Sequence, residues 1–377
     1  MQRNSETPPQ VPFADIARNL KPYAERLHRV ACEIIDRGSF IGGAPVKSFE
    51  ENLAAWLGLS AVCGVGCATS GLTITMKALG IGSGDQVITT ANSAMPTPES
   101  ISLTGAEVVF CDIEGGGFYN IDPTEIEAKI SSRTKALLPV HLYGHPCNLE
   151  RIRKIAQRHG LHLIEDCAQA QGARYRGRYV GTFGEAGVFS FFPSKNLGGF
   201  GDGGAVASAD RELIAKVRRI ANHGRGSHKY LHEVVGTNSR LDTLQAAMLD
   251  LLLPDLDAMN AARRRAAARY RERLAGIDDI VLPGEAEHCE PVYHVYVVVV
   301  PDREALIEFL GRRGIATGIH YPRALNLQPA YACLEQGEGA FPKAEYACRH
   351  MLSLPMFPTI GNDEIDRVCE AVSEFFK

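Results

Sequence analysis

The sequence predicts an α/β protein: a large domain built on a mostly parallel, mixed sheet, followed by a smaller C-terminal α+β domain. Three observations predict it. Short β-rich runs alternate with amphipathic helical runs through the first half of the chain, the pattern of a parallel sheet covered on both faces. The runs "AGVFSFF" and "GAVASA" have no helix between them, so one antiparallel strand is expected near "GAVASA". From Asp210 the pattern turns mainly helical to about Leu274, and a strand-like run then returns at "VYHVYVVVVP".

The elements follow in order. Residues 1–12 are polar and proline-containing and read as a flexible tail. "DIARNLKPYAERLHRVACEIIDRG" reads as helical, with Gly38 as its stop, and "SFEENLAAWLGLS" as a second helix. The strand-like runs are "AVCGVG", "DQVITT", "AEVVFCDI", "TKALLPVHLYG", "LHLIEDC", "AGVFSFF" and "GAVASA". Amphipathic stretches such as "TSGLTITMKALGIG" and "NLERIRKIAQRHG" fall between several of them. Pro254 breaks the later helical run, so the large domain is expected over 13–254 and the small one over 255–377. The small domain continues with "REALIEFLGRRG", "ATGIHYP" and a closing helix from Asp363.

Bulk properties narrow the function. The formal net charge is -4, and no aromatic–basic interleaving appears, so no nucleic-acid partner is expected. The arginine-rich "NAARRRAAARYRERL" reads as a solvated helix face. No apolar run reaches membrane length and no signal-like segment opens the chain, so no membrane partner and a cytoplasmic location are expected. The 10 cysteines are scattered without a C-x-x-C pair and read as free buried thiols, with no metal site.

Open α/β sheets bind ligands beyond the C-terminal ends of their strands, and polar residues fall there. At "GVGCATSGLTITMKAL" a strand gives way to a helix start near Thr69, where Thr69 or Ser70 can act as the cap and free N–H groups suit an anion. The sequence holds no P-loop. "LHLIEDCAQAQGA" ends a strand in Glu165 and Asp166, with Gln169 just beyond; a carboxylate there either caps a turn or faces the cleft. In "FSFFPSKNLGGFGDGGAV", Lys195 leaves a strand beside a glycine cluster. Gly199, Gly201 and Gly204 match G-x-G-x-x-G, but a strand-like run follows instead of a helix, so the glycines read as a sharp turn and not as a dinucleotide fingerprint. A partly desolvated lysine is a nucleophilic amine. Pyridoxal phosphate (PLP) needs such a lysine, an acid for its ring nitrogen and a phosphate cradle. Lys195, Asp166 and Thr69/Ser70 supply the three together.

The stretch from "VHLYGHPCNLE" through "FSFFPSKNLGGFGDGGAV", with "NHGRGSHKYLHEVVGTNSRLDTLQAAML", "TGIHYPRALNLQPAY" and "LSLPMFP", resembles the DegT/DnrJ/EryC1/StrS family of PLP-dependent sugar aminotransferases. The resemblance implies an aspartate-aminotransferase-like fold (PLP fold type I) and roles by position. Lys195 would hold PLP as an imine and shuttle protons, with pyridoxamine phosphate as the other cofactor form. Asp166 would pair with the pyridine nitrogen and Gln169 would sit near the ring hydroxyl. Ala68, Thr69 and Ser190 would hold the phosphate. Asn238 would reach it from the neighbouring subunit of a homodimer, and His320 and Tyr321 would lie near the substrate. The implied reaction passes an amino group from L-glutamate to a keto group of a nucleotide-linked deoxysugar. Alternatives are the same chemistry on a cyclitol or aminobenzoate precursor, a PLP-dependent dehydratase (which Lys195 argues against) and a non-catalytic sensor. One departure stands out: Ala94 occupies a position where many relatives carry a ring-stacking aromatic, leaving Met95 or a neighbour to cover the ring.

Overall fold

A computed structural model describes residues 10–377. Its centre is a seven-stranded sheet of β1 (Ala61–Val65), β2 (Gln86–Thr90), β3 (Glu107–Cys111), β4 (Thr134–Leu138), β5 (His162–Asp166), β6 (Ala186–Ser190) and β7 (Gly204–Ser208), in the order β1-β7-β6-β5-β4-β2-β3. β7 pairs antiparallel with both neighbours, and the remaining pairs are parallel. The single reversed strand is therefore the one expected at "GAVASA". "TKALLPVHLYG" is shorter than expected as a strand, since Pro139 follows Leu138 and carries no N–H for the ladder.

Both faces of the sheet are buried, and the strands show why. Val188 of β6 and Val206 of β7 enter one core with Val65, Leu72 and Met76. Phe189, Ala205 and Ala207, the alternate positions, enter another with Phe49, Leu53 and Leu249. Successive side chains of a strand point to opposite faces, so near-continuous apolar strands need cover on both sides. That cover includes α2 (Ala44–Leu57), α3 (Ala68–Ala78), α4 (Pro96–Ser102), α5 (Leu149–His159), α6 (Arg211–Ala221) and α7 (Thr243–Leu252), with α1 (Ala24–Arg37) packed on α7. Gly38 ends α1 with φ 60°, a left-handed cap that glycine adopts without strain.

A 3-10 turn at Leu253–Asp255 carries Pro254 and separates α7 from α8 (Leu256–Leu274). The arginines of α8 are not all solvated. Arg263 shares the inward face with Ala266, Ala267 and Tyr270, and its Nη1 donates to the carbonyls of Tyr293, His294 and Met356. Beyond α8 lies an antiparallel pair, β8 (Tyr296–Val299) and β9 (Met351–Leu354), with α9 (Arg303–Arg312), α10 (Pro342–His350) and α11 (Asn362–Phe375). Leu325, Tyr331, Phe341 and Ala344, all beyond residue 255, pack into the core of Val188 and Val206.

Two other expectations change. Of the tail expected over 1–12, residues 1–9 lie outside the described residues, but Val11 is buried and bridges Ile315 in parallel. Its apolar side chain completes the core of Tyr270, Val298 and Leu352. The helical run expected from Asp210 is interrupted over residues 222–242, where Gly224 and Gly236 approach neighbouring backbone too closely for any Cβ.

Candidate active site

Parallel strands that stop together leave their C-terminal ends on one edge of the sheet, and the site is built there. A cavity of about 550 Å³ is lined by Gly66–Thr69 after β1, Ser93, Ala94 and Thr97 after β2, and Val140 after β4. Asp166, Ala168 and Gln169 at β5, Ser190 and Phe192 at β6, Lys195, His294, His320 and Tyr321 complete it. It brings together the site residues expected from the sequence except Ser70 and Asn238. The Asn238 side chain is exposed, outside the cavity of its own chain, and Asn238 bridges Asn222. Its neighbour Ser239 instead reaches the turn after β1: Oγ accepts the Gly66 N–H at 3.1 Å and bonds Ser70 Oγ at 2.7 Å.

The turn after β1 starts α3 with Cys67 as the cap, not Thr69 or Ser70. Cys67 Sγ accepts the Ser70 N–H, and Gly71 N–H closes on the Cys67 carbonyl. Ala68 and Thr69 thus form the first turn, where N–H groups have no intrahelical acceptor. Their positive end faces the cavity, an anion cradle. β7 passes beneath it only because residue 204 is glycine: a Cβ there would lie 2.8 Å from Ala68 N and from Phe189 O. No glycine between 198 and 204 has positive φ. The chain bends at Phe200 and Gly201, and the cluster makes that bend and the close backbone approach without left-handed residues.

Glu165 and Asp166 divide by face. Glu165 accepts N–H groups from Gly181, Phe183 and Gly184 and the His141 ring, so its carboxylate is saturated. His141 Nδ1 accepts the Cys147 N–H, which makes Nε2 the donor to Glu165. In the buried His141–Glu165–Cys167 group, His141 and Glu165 thus form a hydrogen-bonded brace, with the carboxylate already spent. Asp166 turns the other way, into the cavity. Its Oδ1 accepts the Ala168 N–H at 3.1 Å and its Oδ2 the Thr97 hydroxyl at 2.9 Å. It thus caps a turn and faces the cleft at once.

Lys195 has its ammonium pushed down to about 8 by burial, with Asp166 opposing the shift. It stands between the main cavity and a smaller one of about 80 Å³ that Phe13, Tyr23 and Arg263 also line. His294 borders both. Asn196 Nδ2 donates to Asn260 Oδ1 and the Val292 carbonyl, so Asn196 Oδ1 is left to accept from His294 Nδ1 at 3.2 Å. Burial, with Lys195 and Arg263 nearby, keeps that imidazole neutral. His320 is likewise pushed down to about 4, by burial and by Lys195. Its Nδ1 is 2.9 Å from Ser353 Oγ, and its ring stacks on Phe13.

Gln169 Oε1 accepts the Tyr143 N–H, and Nε2 donates to the Tyr321 hydroxyl at 3.0 Å. Burial pushes that hydroxyl up to about 12. Ser190 Oγ accepts the Phe192 N–H at 3.3 Å. Ala94 lines the cavity, whereas Met95 packs against the core instead of covering the site. Thr97, Ser93 and His294 escaped the sequence reading. Pro96 was the available signal for Thr97, since proline favours the first helical position and puts its successor in the first turn.

This donor set fits PLP: an anion cradle, a buried acid and a lysine of lowered basicity share one cavity. Fold and cavity define the class, an α/β enzyme of the PLP-dependent aminotransferase type. Residues 23–373 match the DegT/DnrJ/EryC1/StrS aminotransferase family, and the chain belongs to it. It is 43% identical to a pleiotropic regulatory protein of Geobacillus stearothermophilus, over 97% of this chain and 99% of that one. It is 41% identical to the dTDP-3-amino-3,4,6-trideoxy-alpha-D-glucose transaminase of Streptomyces venezuelae, over 100% and 98%. The crystal structure of S. venezuelae DesV in complex with a ketimine intermediate superposes with a TM-score of 0.95 at 41% identity, covering 98% of this chain and 99% of that one. The protein is a PLP-dependent aminotransferase.

Proposed function

We propose that this aminotransferase moves an amino group from L-glutamate to a keto group on a nucleotide-linked deoxysugar. The observation that carries the reading is the convergence of Lys195, Asp166, Thr69 and Ser190 on one cavity at the strand ends, together with a transaminase of a dTDP-sugar among the relatives. Bound PLP supplies an electron sink and a store for the amino group between two half-reactions. Lys195 would hold it covalently, then take the proton from the donor's α-carbon and return one to the acceptor. Asp166 would keep a proton on the ring nitrogen. Ala68 and Thr69 N–H groups and Ser190 would hold the phosphate, and Gln169 would sit beside the ring hydroxyl. His320 and Tyr321, both neutral, would offer uncharged hydrogen-bonding groups to the substrate.

The site would lie between the large unit (13–254) and the C-terminal unit (255–377) of one chain. Asn238 of a second copy would complete it, making the homodimer the catalytic unit. The ten free thiols fit a reducing, cytoplasmic location.

The test uses the protein charged with pyridoxamine phosphate and a panel of nucleotide ketosugars. The substrate is the sugar that restores the visible absorption of the lysine-bound cofactor. Lys195→Ala should lose both that absorption and turnover; a variant that still transaminates refutes the role. The name of the Geobacillus relative favours a second reading, a regulatory protein on this fold. It predicts that no member of the panel is aminated.

A further inference from the structure

Thr97 has no part in the reading above, yet it touches Asp166 directly. Thr97 is 1% exposed and Ser93 3%, and both line the cavity that holds Asp166 and Lys195. Thr97 Oγ1 donates to Asp166 Oδ2 at 2.9 Å, and Ser93 Oγ lies 2.9 Å from Thr97 Oγ1. The one Thr97 proton is spent on the carboxylate, so Ser93 is the donor in the second pair. Two hydroxyls in series therefore end on the acid. The first turn that carries Thr97 is itself tied, since Ser100 Oγ donates to the Thr97 carbonyl at 2.7 Å.

We propose that Thr97, held by Ser93, is a positioning residue for transamination: it pins Asp166 Oδ2 so that the carboxylate keeps one orientation towards the cofactor's ring nitrogen. The proposal rests on the reading of Asp166 as the ring-nitrogen partner. A carboxylate fixed only by the Ala168 N–H can rotate about its Cβ–Cγ bond. Donors from two separate elements set its plane. The donated bond also favours the ionised acid and so opposes burial, which pushes Asp166 upward. Of the other ionisable groups near Asp166, Lys195 favours its charge, His141 is the neutral tautomer bonded to Glu165, and Tyr321, Cys147 and Cys167 are uncharged. Without the Thr97 hydroxyl, the proton shared by acid and ring nitrogen moves towards the acid. The ring then loses the positive charge that draws electrons from the substrate. No bond changes other than that proton's.

Thr97→Val keeps the shape and removes the donor, and Thr97→Ser restores it. The holoenzyme is prepared with nitrogen-15-labelled PLP, and the ring-nitrogen chemical shift is read by NMR. Donor half-reaction rates are followed by absorbance. Thr97→Val should move the shift towards the unprotonated value and slow the half-reaction on the order of tenfold, the rate equivalent of one charge-assisted hydrogen bond. KM for the donor should stay within about twofold, and Thr97→Ser should restore shift and rate. A wild-type shift in Thr97→Val overturns the proposal even if the rate falls. Should Thr97→Val not fold, Ser93→Ala, which frees Thr97 in place, must give a smaller shift in the same direction, and no shift there overturns it. Asp166→Asn separates the layers. If it moves the shift and the Thr97 variants do not, only the proposal fails. If Asp166→Asn leaves the shift unchanged, the ring-nitrogen role of Asp166 fails.

Discussion

Lys195 decides what the cavity can do, and its charge is set by two opposed effects. Burial disfavours the ammonium and the Asp166 carboxylate favours it; burial wins, leaving a value of about 8 against an ordinary 10.5. The free amine therefore appears at lower pH than on a surface lysine. Reductive trapping with a small aldehyde, quantified by mass spectrometry of the Lys195 peptide, should show a midpoint near 8 in the apoprotein. Asp166→Asn removes the opposing attraction, so the midpoint should fall further. A midpoint near 10 in the wild type would mean that the amine is fully hydrated. The same shift sets a stability trend. Between the two values the unfolded chain binds a proton that the folded chain does not, so this lysine's destabilising contribution is full below about 8 and fades as pH rises towards 10.5.

The elements show what close approach costs in sequence freedom. β7 runs under the start of α3 with no room for a side chain at residue 204, where a Cβ would meet backbone on both sides at 2.8 Å. At Gly201 a Cβ meets only the end of the Gln245 side chain, at 3.2 Å. Gly204→Ala should therefore cost roughly 1–3 kcal/mol by denaturant unfolding and weaken phosphate binding, because the cradle must shift. Gly201→Ala should stay within about 0.5 kcal/mol. Equal effects would refute the cradle argument. The contrast also marks what a sequence reveals. Strands and their order of use were legible from apolar runs of strand length, and the reversed β7 from a missing crossover helix. Lys195 and Asp166 were legible because strand ends are where such groups act. Local composition was silent on the loop at 222–242, which resembles a helix until its long-range backbone contacts are known. It was silent too on Thr97, which meets Asp166 only after β2 and β5 are laid in one sheet. Arg263 looked like one more solvated arginine until the face of α8 was fixed by Tyr270 and its neighbours.

At the scale of the molecule, the surface near the site is more apolar than one folded chain requires. Tyr230 is 85% exposed and Val235 97%, on the loop that carries Asn238. Phe40 and Ile41 adjoin the start of α7, through Thr243 N–H on the Phe40 carbonyl and the Ile41–Asp242 bridge. Phe200 joins the same helix through Gln245, and Phe192 at the cavity mouth is 52% exposed. If these exposed apolar side chains pack against a second copy of the chain, a two-fold dimer would use the same surface twice. If the second copy carries Asn238 to the first copy's phosphate cradle, two defective chains should repair each other. Lys195→Ala and Asn238→Ala chains, each crippled alone at limiting PLP, are unfolded together and refolded as a mixture. Random pairing makes about half the dimers mixed, and each mixed dimer holds one site with both residues intact, so roughly a quarter of wild-type activity should return. If Asn238 acts within its own chain, every site in the mixture lacks one residue or the other and no activity returns. Tyr230→Asp with Val235→Asp should prevent the repair by separating the chains, seen as monomers in sedimentation velocity. Repair that survives in a monomeric population would rule out the shared site.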